Sequence, residues 1–347
     1  MKRLLLTILL FAPFALAGQE FLWDTNLDTR FDNREYAQTE SGISQTLFST
    51  KLTPSIGLGW GEQNSIKLGV DLWLDMGAEF GSINPELSFY YDYNSPLYKA
   101  KAGIVPRSSM LGDYSRAFFS DSLSYYDSNV SGLLLQYVAE NLYVELALDW
   151  LGRESETTRE KFMVISSARY NQKMFFLGYN FNMFHFAGSK TERGVVDNIL
   201  AQVYLGVDLA EISKMGELSF SASWINALQN DRKYVGEFVA PAGFELRANL
   251  EKFNVGIDNT FYMGENLMPY YERYGAELYP GDIFYSTSSI YNRLEVYWKA
   301  VRHKNISLKV SSIHHFDGEN WGSQQMAKLI VNFGKGDLKK KKAEISE

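Results

Sequence analysis

The sequence predicts an all-β fold, a closed antiparallel transmembrane β-barrel of about 16 strands with short periplasmic turns and long extracellular loops. Three observations predict it: long segments that alternate apolar and polar residues, connections that alternate between short and long, and no long apolar helix beyond the N-terminus. Successive side chains of a strand point to opposite faces. Leu142, Val144, Leu146, Leu148 and Trp150 therefore form one apolar face, with Tyr143, Glu145, Ala147 and Asp149 on the other. Ile66 to Leu74 repeats the pattern against Lys67, Gly69, Asp71 and Trp73, and Leu294 to Ala300 repeats it against Arg293, Glu295, Tyr297 and Lys299. Alternating strands of about 9–11 residues suit a bilayer, whereas sandwich strands usually run about 5–6. Unpaired backbone groups cannot sit in hydrocarbon, so such a sheet closes on itself with its apolar face outward.

The N-terminus reads as a signal peptide, residues 1–17. Lys2 and Arg3 precede the apolar run from Leu4 to Leu16, and Ala15-Leu16-Ala17 offers a cleavage site before Gly18. The barrel is expected over 18–333, followed by a polar periplasmic tail, 334–347, that carries four lysines from Lys339 to Lys342. The chain has no cysteine, which excludes disulfides, thiol catalysis and cysteine-held metals. A net charge of −7 spread along the chain argues against a nucleic-acid partner.

In chain order, the strands are expected over 23–31, 46–60, 66–74, 87–93, 98–104, 130–138, 142–150, 162–170, 175–186, 199–208, 218–226, 244–250, 253–262, 291–301, 306–316 and 326–333. Gly61-Glu62-Gln63-Asn64, Asn94-Ser95-Pro96, Ala139-Glu140-Asn141 and Glu251-Lys252 have the composition of tight turns. Longer polar stretches lie between them, as required when turns face one side of a membrane and loops the other. Trp60, Trp73, Trp150 and Trp298 fall at or near strand ends, where aromatic girdles form.

At this level the chain resembles an outer-membrane porin. The segment Met326 to Phe333 is similar to the terminal insertion signal of such barrels, which alternates apolar residues and ends on an aromatic, here Phe333. The resemblance implies the cell outer membrane as location, and the barrel-assembly machinery and outer-membrane lipids as partners. It also implies a homotrimer. General diffusion porins narrow the lumen with their third long loop. Here that loop is Val105 to Ser128, and its candidate constriction residues are Arg107, Arg116, Asp113 and Asp121. The short acidic, glycine-containing motif of those porins is absent. Phe31-Asp32-Asn33-Arg34-Glu35-Tyr36 and Gly103-Ile104-Val105-Pro106-Arg107 are similar to segments of uncharacterised porin-like barrels.

Asp71, Glu145, Asp149, Arg247, Arg293, Glu295 and Lys299 are expected to line the lumen, and basic and acidic candidates nearly balance there. Mixed walls follow, without the single-sign rings of a strongly selective tube. The expected function is passive diffusion of small hydrophilic solutes, with no cofactor, no metal site and no enzymatic activity. Two alternatives stay open. A closed barrel could display loops as a binding scaffold, with the tyrosine-rich Gly264 to Ser288 as its surface. A hydrolase is the other, but the chain has only four histidines, and His314-His315 lacks any hydrolase spacing. Luminal stacking on sugar rings by Tyr90, Tyr204, Tyr262 and Tyr297 is a further possibility.

Overall fold

The computed structural model describes residues 19–39, 42–79, 83–286 and 289–335. Sixteen strands run up and down: β1 (Gln19–Glu35), β2 (Gln45–Trp60), β3 (Asn64–Asp75), β4 (Asn84–Asn94), β5 (Tyr98–Pro106), β6 (Asn129–Val138), β7 (Leu142–Gly152), β8 (Lys161–Gln172), β9 (Phe175–Phe186), β10 (Val196–Asp208), β11 (Glu217–Asp231), β12 (Ala242–Lys252), β13 (Val255–Gly264), β14 (Ile290–His303), β15 (Ile306–Phe316) and β16 (Trp321–Lys335). Each pairs antiparallel with its sequence neighbours, and β1 pairs with β16 to close the barrel. Among the described residues three short α-helices lie in connections: α1 (Asp121–Tyr126), α2 (Ala210–Ser213) and α3 (Tyr271–Tyr274). The expected signal peptide lies outside the described residues, as does the expected tail past Lys335; Gly334 and Lys335, expected in the tail, continue β16.

The alternation sorts the wall as the sequence implies. Glu145, Ala147 and Asp149 of β7 are buried toward the lumen, while Leu146, Leu148 and Trp150 are exposed on the outer face. Aromatic rings collect at both outer rims. Trp23, Trp60 and Trp298 sit toward the short-turn end, and Trp150, Phe162 and Trp321 toward the loop end. Trp73 departs from its expected place in a girdle. It shares the inward face of β3 with Lys67 and Asp71, and the Lys51 ammonium lies 5.1 Å from its ring centroid. An inward indole meets a cation there rather than headgroups.

The thirteenth strand begins at Val255, and Phe253 belongs to the turn before it. Phe253 and Asn254 both have positive φ, 53° and 65°, which suits a two-residue hairpin turn joining right-twisted strands. Gly103 and Gly132 stand directly opposite each other on β5 and β6. Both have positive φ, and a Cβ on either would come within 2.2–2.3 Å of a neighbouring backbone oxygen. Only glycine fits this close approach.

The outer wall is not uniformly apolar. From β13 round to β2 its loop-side half carries hydrogen-bonded polar side chains. Asn259 Nδ2 donates to Asn292 Oδ1 at 3.3 Å, and Asn33 Nδ2 donates to Gln325 Oε1 at 2.7 Å. Thr46 Oγ1 donates to Asn33 Oδ1 at 2.6 Å. On the outward face of β15, Ser312 Oγ lies 3.1 Å from His314 Nε2.

Candidate functional site in the lumen

Two long loops turn inward and fill the loop-side half of the barrel. The third, residues 107–128, begins with a 3-10 turn at Arg107–Ser109 and contains α1, whose first turn is capped by Ser120 Oγ accepting from Leu123 N–H. The seventh, residues 265–289, lies on it: Ser120 N–H donates to Pro280 O at 2.9 Å, and Asp282 N–H to Arg116 O at 2.7 Å. Phe118, Leu267, Met268, Leu278, Phe284 and Tyr285 are buried between the loops and the wall. The expectation that Gly264 to Ser288 forms an exposed display surface is therefore corrected. Its apolar and tyrosine side chains pack into the lumen, because that removes them from water.

Charged wall residues hold the third loop in place. Arg107 donates to Asp149 Oδ2 at 2.9 Å, to Asn129 O at 2.9 Å and to Asp127 O at 3.1 Å. Glu145 accepts from the Leu111 and Gly112 amides at 2.6 and 3.2 Å and from the Tyr114 hydroxyl at 3.1 Å. Asp71 accepts from Thr53 and from Ser128 at the loop's end. Glu245 joins both loops to the wall, accepting from Ser115 and Tyr285 at 2.6 Å each and from Gln202 at 3.2 Å.

Past these anchors the loop meets β12–β14 through crossed ion pairs. Arg247 Nη1 lies 3.1 Å from Asp113 Oδ1, and Arg293 Nη2 lies 3.5 Å from Asp121 Oδ2. Arg116 reaches Asp121 at 3.4 Å and Asp258 at 3.8 Å. Burial alone would raise the Asp121 pKa, but the Arg116 and Arg293 guanidiniums hold it well below the usual carboxylate range. Asp282 on the seventh loop moves the other way, raised by burial and by the Asp121 charge beside it. Glu295 accepts from Ser311 at 2.6 Å and pairs with Lys309 and Arg293, while Lys299 pairs with Glu251 and Glu217.

The four constriction candidates and the seven lumen candidates all lie inside the barrel, and Phe333 faces outward near the end of β16. Arg107, Arg116, Asp113 and Asp121, with Arg247, Asp258 and Thr260, surround a cavity of about 350 Å³. Asp71, Glu145, Asp149, Glu295 and Lys299 instead anchor loops or neighbouring strands. A second cavity of about 190 Å³ toward the short-turn end shares Asp113, Arg247 and Asn249, and a gap of about 20 Å³ toward the loop end shares Asp121. Ser115, Tyr285 and Thr260 were not singled out by the sequence. Their one signal is alternation, which places Thr260 on the inward face beside Asp258. The four tyrosines considered for sugar stacking do face inward, but the Tyr297 hydroxyl is engaged by Glu251 and the Tyr262 hydroxyl by Glu265 O.

The histidines are scattered. His314 faces out, and His315 faces in between the Tyr36 and Tyr291 hydroxyls at 3.2 and 2.9 Å. His185 stacks on Phe162 at the outer rim. Among the described residues no cluster of three or more acidic or histidine side chains could hold a metal ion.

Residues 24–335 match the family model described as lipid A 3'-O-deacylase-type. The chain is similar in fold to a loop-deletion variant of OmpT, an outer membrane protein of Vibrio cholerae, at 10% identity over 91% of this chain and 100% of that one, with a TM-score of 0.55. A triple mutant of Rhodopseudomonas blastica porin matches at 12% identity over the same shares, with a TM-score of 0.50. No curated protein matches the chain. The two structures support an outer-membrane barrel with a porin-like fold. The family match overturns the expectation that the chain is not an enzyme. That expectation rested on the lack of any hydrolase spacing around four histidines, and a strand sets residues two apart side by side on one face without any longer motif.

Proposed function

This chain belongs to the lipid A 3'-O-deacylase-type family; from the geometry of its lumen we propose that the barrel also conducts small hydrophilic solutes across the outer membrane. A row of neighbouring cavities beside the third loop carries this reading. They share lining residues from the gap at Asp121 to the turn-side cavity at Asn249, and their walls are polar and charged with both signs. Sixteen strands enclose a lumen wide enough for water, and two inward loops reduce it to this one-sided path. The expected conductance is therefore well below that of an unobstructed barrel. Single-channel recording of the refolded protein in a planar bilayer tests it. Small, stable steps support the channel, and silence from protein shown to be inserted overturns it.

A second reading follows the family's description. Ester hydrolysis of an acylated lipid needs a nucleophile and a base at the depth of the ester bonds, on the wall that lipid touches. Ser312 and His314 meet at hydrogen-bond distance on the outward face of β15, within four residues of its loop-side end. Ser312 Oγ would attack the ester carbonyl while His314 Nε2 takes its proton; the C–O bond to the lipid's hydroxyl would break with that proton passing to the departing alcohol, and water would then hydrolyse the acyl-serine to free fatty acid. Incubation with vesicles that contain lipid A, followed by mass spectrometry, tests this. Loss of one acyl chain, abolished in Ser312→Ala, supports it; an unchanged lipid mass sinks it.

A further inference from the structure

We propose that the 350 Å³ luminal cavity is a binding subsite for a small zwitterion, a solute of amino-acid or dipeptide size carrying one carboxylate and one ammonium group. This rests on the channel reading above for how such a solute arrives. The volume sits at the lower end of small-molecule sites, about 300–1,000 Å³.

The ammonium end is set by three carboxylates that are only half used. Asp113 gives Oδ1 to Arg247, Asp121 gives Oδ2 to Arg116 and Arg293, and Asp258 gives Oδ1 to the same two arginines. Their other oxygens accept no hydrogen bond among the described residues. The Asp113 and Asp121 side chains are 57% and 52% exposed. The arginines that hold them are mostly covered, so the open acceptors belong to the acids.

The carboxylate end and the middle are marked by unsatisfied groups in the cavity wall. Arg107 Nη1 and Thr260 Oγ1 are buried without a hydrogen-bond partner, and both residues line the cavity. A buried polar atom left unpaired is destabilising, and a solute toward which the Arg107 or Thr260 side chain turns removes that cost. A lone cation entering here would meet the arginines, and a lone anion would meet the aspartates. A solute with both signs satisfies each with its opposite.

Isothermal titration of the detergent-folded barrel with glycylglycine tests the proposal, with N-acetylglycylglycine and glycylglycine amide as single-charge controls. The expected result is that glycylglycine binds about tenfold more tightly than either control. Thr260→Val keeps every ion pair and should weaken glycylglycine several-fold with the fold unchanged. Asp121→Asn should remove the discrimination against the N-acetylated control. No heat with any of the three, or equal binding of all three, overturns the subsite. Binding without conductance would refute the channel and leave the subsite standing; conductance without binding would do the reverse.

Discussion

Replacing Arg107 by methionine should unfasten the base of the third loop and destabilise the barrel by about 3–5 kcal/mol. The side chains of Arg107 and Asp149 are 7% and 1% exposed, so the pair is shielded from water. Without the guanidinium, Asp149 keeps one donor, the Ser131 amide at 2.8 Å, and its buried charge goes uncompensated. The carbonyl oxygens of Asp127 and Asn129 lose a donor in the same step. Methionine fills similar volume, so cavity formation adds little and the cost is mainly electrostatic. Denaturant unfolding in detergent micelles, followed by tryptophan fluorescence, measures it. The double variant Arg107→Met with Asp149→Asn should recover a large part of the loss, because the stranded charge is then gone. A single variant within 1 kcal/mol of the parent, or a double variant no better than the single, would refute the reasoning.

Three further outcomes follow from other parts of the wall. Val203→Arg places a cation on the lipid face of β10 and should cost about 2–4 kcal/mol in a bilayer, read from urea unfolding in lipid vesicles; Gln202→Arg, facing the lumen, should not show this dependence on lipid. Gly103→Ala drives a Cβ to 2.2 Å from Phe89 O at a φ of +125°, and should lower the yield of heat-modifiable folded barrel on gels. The third outcome concerns pH. The Asp121 pairings should contribute fully above the ordinary carboxylate pKa of about 4 and be lost only as pH falls through the depressed native value. Protease resistance of the third loop should therefore persist to pH 4 and fall in stronger acid, and Asp121→Asn should show a smaller acid step than the parent.

The strand count was legible because alternation is a local property, and each of the sixteen expected segments falls on one observed strand, the thirteenth starting two residues early. β1 extends past its expected ends because Thr25, Thr29 and Asn33 put polar side chains on its outer face and blur the pattern. Inward residues were legible for the same reason, since parity alone places Glu145 and Arg293 in the lumen. Which of them line open space and which anchor a loop was not legible. That depends on the path of residues 107–128 and 265–289, and no periodicity governs those. Ser115 is an ordinary loop serine in sequence; only the fold puts it 2.6 Å from Glu245, 130 residues away. The outward Ser312–His314 contact was equally hidden, since an i, i+2 spacing carries no motif.

The seam between β1 and β16 joins Leu27 to Val331 and Phe31 to Ala327. Because the strand that closes on β1 is the last of the sixteen in sequence, a partly assembled sheet keeps two raw edges until this seam forms. Those edges are templates for any other extended chain, and bringing them together costs loop-closure entropy that no earlier contact offsets. Assembly of this molecule is therefore a race between seam closure and wrong pairing. A substitution that weakens only the β1–β16 seam should raise the misassembled fraction while leaving the other fifteen strand pairings unchanged.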